Sequence, residues 1–263
     1  MEKRTLIIIF ATLLLFAVGG LGAYLTMKQE GDKELVKDLM LSDYPEVFGI
    51  GTVIIVGEEA SEVEREAAGL IAADLEELTG NRPEIISTKD VQNYKSTHNL
   101  IIVGTPNSNP LLREIYYLTG AKEVTDKYPG EGKGIVEILR NPWNLQKALI
   151  LVEGTNEQDL KKSAALLMDQ EILKDFSTTR IVVGPSIKLI GRIYVTGHEP
   201  FSQLAIESQY GVYLLIGPQA AKGSQLWHLQ NEDVEVEGVI IEGPIPPSFA
   251  AEKGLIVRHF RGG

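Results

Sequence analysis

The stretch VIIVGEEASEVEREAAGLIAADL, residues 53–75, decides how the chain is read. Val53 to Val56 form a β-branched run that stops at Gly57, the pattern of a strand buried on both faces. Ser61 and Glu64 follow with capping-box spacing. Val63, Ala67, Leu70, Ile71, Leu75 and Leu78 then recur at helical intervals, and Gly80 stands where a left-handed glycine cap would end the helix. A buried strand that runs directly into an amphipathic helix implies a parallel neighbour reached by a crossover.

The same unit recurs on the C-terminal side. NLIIVGTP (99–106) is a second buried strand, and Asn109-Pro110 opens a helix expected to close at Gly120. KALILVEGT (147–155) leads into a helix capped by Asn156, with Leu160, Ala164, Leu167 and Met168 on one face, and TTRIVVG (178–184) adds a further strand. Between these units, GKGIVEILRNPWN (132–144) reads as a strand turning at Asn141-Pro142 to pair with 147–153 as a hairpin. The expectation for residues 43–185 is therefore an α/β domain with a mixed sheet covered by helices.

After Ser186 the period changes. IKLIGRIYV, SQLAIES, GVYLLIGP, VEVEGVIIEG and KGLIVRHF are short strands, and GSQLWHLQ (223–230), between the third and fourth, is the one helical candidate. Five strands with a helix in that place match the order of an OB-fold, so residues 186–263 are expected to form a small all-β, OB-like barrel. Gly184-Pro185-Ser186 marks the boundary. Proline has no amide donor, so the α/β sheet is expected to stop there.

Residues Thr5 to Met27 carry no charge and form an apolar run long enough to span ~30 Å of hydrocarbon at ~1.5 Å per residue. Lys3 and Arg4 precede it, which favours a cytoplasmic N-terminus and an extracellular globular part. The expected organisation is a single-pass transmembrane anchor (1–27), a polar stalk (28–42), the α/β domain and the barrel. A cleaved signal peptide is the rival reading, because Gly19, Gly20, Gly22 and Ala23 lie near a potential cleavage point.

The 263-residue chain has no cysteine, which removes disulfides, thiolate metal sites and a cysteine nucleophile from consideration. Its formal charge of -11 disfavours nucleic acid, which needs clustered Lys and Arg. Lys188, Arg192, Lys222, Lys253, Arg258 and Arg261 in the barrel region form no basic stripe with interleaved aromatics.

SDYPEVF (42–48), the strand and helix of 53–75, NLIIVGTPNSNPL (99–111) and the segment 132–167 together resemble the α/β domains of archaeal S-layer and S-layer-like envelope proteins. The motifs carrying the likeness are Val103-Gly104-Thr105-Pro106 with Asn109-Pro110, and the later Asn141-Pro142, in that order. The chain departs from that family in being short, in having its apolar segment at the N-terminus, and in lacking an N-x-S/T acceptor. The resemblance implies an accessory envelope component rather than a main lattice subunit. The segment EREAAGLIAADLEELTGNRPEI is also similar to the accessory α/β domain found beside some glycoside hydrolase barrels, which is not the catalytic one.

No catalytic constellation is legible. Gly130, Gly132 and Gly134 lead into a strand rather than a helix, and His98, His198, His228 and His259 fall in no ligand spacing. Glu62, Glu66, Asp74 and Glu77 are expected on the solvated face of their helix, and in Glu232-Asp233-Val234-Glu235-Val236-Glu237 the carboxylates and valines should face opposite ways. No catalytic, cofactor or metal residue is assigned, and no cofactor is expected. Trp143 and Trp227 are the residues on which a ligand could stack, although both read first as caps over domain cores. The expected function is a non-enzymatic structural or interaction protein of the cell envelope, bound to the membrane through Thr5–Met27 and to an envelope protein or glycan. A glycan- or ligand-binding envelope module is the alternative.

Overall fold

The structure, a computed structural model, describes residues 38–244 and 253–262. The proposed anchor, Thr5–Met27, lies outside these residues; among those described, no helix is long and apolar enough to cross a membrane.

The first strands and helices follow the periodicity of the sequence. Strand β1 (Thr52–Val56) is buried throughout, and helix α1 (Glu62–Thr79) begins at a capping box in which the Ser61 hydroxyl accepts from the Glu64 amide while Glu64 accepts from the Ser61 amide. Gly80 closes the helix at φ 76°. The buried face of α1 differs from the expected stripe: Ala67, Ala68, Ile71, Ala72 and Leu75 point inward, whereas Leu70 and Leu78 are exposed. Small alanines let α1 come close to its neighbouring helix, which rotates the larger leucines outward.

Strand β2 (Glu84–Ser87), a short edge strand that sequence patterning passes over, pairs parallel with β1. β3 (Asn99–Gly104) and β5 (Asn144–Gly154) continue the parallel array, and β4 (Gly134–Asn141) is antiparallel to β5 as the expected hairpin. α1, α3 (Glu157–Leu167) and the short α4 (Gln170–Leu173) cover one face, while α2 (Leu111–Leu118) covers the other. This is the mixed sheet covered by helices.

The expected stalk, residues 28–42, ends sooner than its polar composition suggests. Leu39 and Leu41 are buried in the main core, the Leu41 amide donates to the Thr178 carbonyl at 2.8 Å, and the Ser42 amide donates to the Phe176 carbonyl at 3.1 Å. Packing therefore starts at Leu39.

The expected end of the sheet at Pro185 is also corrected. Strand β6 (Arg180–Thr196) runs through it: Arg180–Val183 pair with β4, pairing with β9 (Asp233–Glu242) starts at Val182, and Gly191–Thr196 also pair with β7 (Gln203–Ser208). Register against β9 shifts between Val183 and Ser186, so Pro185 sits in a bulge where its missing amide breaks no ladder bond. With β8 (Gly211–Ile216) and β10 (Lys253–Gly262), the strand order β6-β7-β8-β10-β9 returns to β6 and closes a five-stranded barrel.

The barrel has its own interior of Leu189, Ile193, Leu204, Ile206, Tyr213, Leu215, Val234, Val236, Leu255 and Val257. Val234 and Val236 point inward and the flanking carboxylates outward, as the alternation requires. The expected helix at 223–230 is only a 3-10 turn, Leu226–Leu229, because Gly223 (φ 85°) and Asn231 (φ 67°) hold left-handed backbone on either side of it. Its Leu226 plugs the barrel interior.

Outside the barrel, Ala205, Leu214, Ile241 and Ile256 pack into the same core as Ile172 and Leu173 of α4. The described residues from Leu39 onward accordingly form one compact unit. Because β6 and this core are shared, the full chain is expected to show a single calorimetric unfolding transition for the region from Leu39 onward, and residues 186–263 made alone should lack a cooperative transition. Two separable transitions would contradict the shared strand. A second expectation concerns Gly134, where an added Cβ would lie 2.0 Å from Ser163 Oγ and 2.4 Å from the Asp159 carbonyl oxygen of α3. Gly134→Ala should therefore destabilise by about 1–3 kcal/mol in chemical denaturation, by forcing α3 off the sheet.

Candidate functional site

In open α/β sheets, ligands bind in the crevice beyond the carboxyl ends of the strands where strand order reverses. Here that point lies between β1 and β3, since β2 and β3 flank β1 on opposite sides. The chain fills the crevice itself. Asn109 is fully buried; its amide donates to the Ile55 carbonyl (3.3 Å) and the Val103 carbonyl (3.1 Å), tying the ends of β1 and β3, and its oxygen accepts from the Leu111 amide that starts α2. Glu64 reaches across from α1, accepting from the Thr105 amide at 3.2 Å and from the Ser108 hydroxyl. Gly57 is glycine because a Cβ there would lie 1.8 Å from the Ser108 carbonyl oxygen. The sequence signal was the Asn109-Pro110 turn, read there as a helix start; its role as a plug depends on Ile55, 54 positions away in the chain.

A second cluster lies on the α2 face of the sheet. Glu153 at the end of β5 and Glu137 on β4 are both buried, and Glu137 pairs with Arg180 at 3.4 Å. Tyr116 of α2 donates its hydroxyl to Glu153. One oxygen of each carboxylate, Glu137 Oε2 and Glu153 Oε1, has no hydrogen-bond partner. Burial, opposed by the Tyr116 hydrogen bond and reinforced by the charge of Glu137, pushes the Glu153 carboxyl up to about 8. Burial likewise raises Glu137, with Arg180 pulling it back, and raises the Tyr116 phenol. Sequence reasoning missed both glutamates, since each sits in an apolar strand run where an isolated carboxylate looks like a strand-end residue. Among the described residues no group of three or more His, Asp or Glu is disposed to hold a metal ion.

Carboxylates expected on the outer face of α1 divide. Glu62, Glu66 and Glu77 are exposed, whereas Asp74 is half-buried beside the Tyr44 hydroxyl, at 3.5 Å, and burial lifts its carboxyl to about 6.

The two tryptophans occupy different settings. Trp143 follows the turn held by Asn141, whose amide donates to the Lys95 carbonyl (2.8 Å) and the His98 carbonyl (3.2 Å) and whose oxygen accepts from the Trp143 amide. Its ring packs on the core beneath α2, and the Lys95 ammonium lies 5.2 Å from the ring centroid. Trp227 packs its inner side on the barrel core and lines a cleft of about 710 Å³ between the barrel and the segment from Glu171 to Ser177. The structure does not bring the two indoles into one site.

The buried Glu153 makes a pH dependence measurable. Its carboxyl is protonated in the folded state up to about pH 8, whereas an unfolded glutamate ionises near 4.5, so folding binds a proton between these values. Its favourable contribution is complete below about 4.5 and lost as pH rises towards 8. Glu153→Gln should flatten the fall of melting temperature across this window and leave the variant more stable than the parent at pH 8. Equal slopes for both proteins would show that Glu153 is ionised in the folded state. No protein-family model matches this chain, and no curated protein matches it.

Proposed function

We infer that the chain is a membrane-anchored, non-enzymatic structural or interaction protein of the cell envelope, an accessory S-layer-like component whose globular part serves as a platform for another envelope protein. The observation that carries this reading is the filled crevice between β1 and β3: Asn109, Glu64 and Ser108 occupy the place where an α/β enzyme would hold its substrate. The apolar run Thr5–Met27 supports attachment to a membrane.

We read the barrel as OB-like, from its closed order β6-β7-β8-β10-β9, the parallel pairing of β8 with β10, and a helical turn between β8 and β9. OB-folds bind oligonucleotides and oligosaccharides on the outer face of their second and third strands. In this barrel that face contributes Ala205 and Leu214 to the core beneath α4. Its apolar wall serves internal cohesion, which supports an architectural role and disfavours nucleic acid.

Membrane fractionation and protease treatment of intact cells test the assignment. The protein should partition with membranes, and external protease should remove the region 43–263. Protection of that region, or recovery of the intact chain in the soluble fraction, would overturn it.

A further inference from the structure

The cleft beside Trp227 has two walls from distant parts of the chain. One is α4 with the turn that follows it, contributing Glu171, Lys174 and Asp175; the other is the rim of the barrel, contributing Gly217, Lys222 and Trp227. The walls are fixed to each other. Gly217 adopts φ 99°, a backbone that favours glycine, and a Cβ there would come within 2.8 Å of Ile172 Cδ1, so barrel and helix meet closely at this point. Arg258 Nη2 bonds Asp169 Oδ2 at 2.6 Å, and Gln219 Nε2 donates to the Arg258 carbonyl at 2.6 Å. A cleft held open in this way needs little reorganisation to receive a ligand. Its volume of about 710 Å³ falls within the range of ~300–1,000 Å³ usual for ligand sites, and joints between domains are where such sites concentrate.

The chemistry of the walls selects the ligand. Glu171 and Asp175 oppose Lys174 and Lys222, and Lys222 is already paired with Glu199 at 2.8 Å, so positive charge does not prevail in the cleft. Among the described residues the side chains of Glu171, Lys174 and Asp175 make no hydrogen bond or ion pair, so both acceptors and donors remain for a ligand. Trp227 adds a half-exposed indole, held from behind by the barrel core. An extended peptide finds no free strand edge here, because β7 and β8 are each paired on both sides. An anionic polymer meets as much negative as positive charge. A ring with an apolar C–H face and hydroxyls that both donate and accept satisfies all three features.

We propose that this cleft binds a neutral oligosaccharide, one sugar ring stacked on Trp227 and its hydroxyls shared among Glu171, Lys174 and Asp175. The site is independent of the membrane attachment and platform role described above, so either can fail without the other.

The test is isothermal titration calorimetry of the full chain in a non-glycosidic detergent against maltotriose, chitotriose and mannotriose, with trigalacturonate as an anionic comparison. At least one neutral trisaccharide should bind saturably. Trp227→Ala should weaken that binding about tenfold or more, a loss appropriate to removing one stacked ring. Because Trp227 also touches the barrel core, exposed Lys174→Ala and Glu171→Gln serve as second variants; each should weaken binding several-fold with an unchanged melting temperature. Trp143→Phe, remote from the cleft, should leave affinity unchanged. Absence of saturable binding by all three neutral sugars, preference for trigalacturonate, or full affinity in Lys174→Ala and Glu171→Gln would each overturn the proposal.

Discussion

Strand β6 must satisfy two sheets at once. Its first four residues complete the hydrogen bonding of β4 in the α/β layer, and its remainder closes the barrel through β7 and β9. A strand of 17 residues with both roles has to bend between them, and the bulge at Gly184-Pro185 supplies that bend. The bend also points the outer wall of the barrel at α4, which buries Ala205, Leu214, Ile241 and Ile256 in the helical core. The cleft near Trp227 exists because this joint is fixed but not filled to its rim.

Polar accounting explains how the strand ends of the α/β half are held together. Parallel strands end in carbonyls and loops that need partners, and buried groups left without them are costly. Three buried asparagines meet part of this need: Asn109 at the carboxyl ends of β1 and β3, Asn99 reaching the Val47 and Ile50 carbonyls at the opposite end, and Asn141 holding the loop before β3. Each bridges segments far apart in sequence. Of these, only Asn109, with Glu64, lies in the crevice at the carboxyl ends of the strands; Asn99 and Asn141 secure the opposite end.

Glu137 and Glu153 are the exception to this economy. Each retains an oxygen without a partner in an interior where an ionised carboxylate is strongly disfavoured. Arg180 compensates Glu137 by charge, while Glu153 has only the Tyr116 hydroxyl, and burial raises its pKa. The stability of the sheet is thereby linked to pH through its buried carboxyls, Glu153 foremost.

Much of the architecture was legible because it rests on local rules. The Ser61–Glu64 box, the Gly80 cap, the Asn156 cap and the 134–154 hairpin all follow from spacings of a few residues, and the alternation through Val234 and Val236 sets which side of its strand faces a core. Pro185 misled for a local reason as well: a missing amide predicts a break only if the ladder needs a donor at that position, and the neighbouring strand decides that. Trp143 and Trp227 look alike in sequence, yet one caps a core and the other faces a cleft, because half of that cleft comes from residues about fifty positions earlier in the chain. The amino-acid order thus determined most of the elements, their caps and the two hydrophobic periods, all set by nearest neighbours. Tertiary structure alone decided the shared strand, the plugged crevice, the raised pKa of Glu153 and the open joint, since each depends on which distant groups come within bonding distance and exclude water.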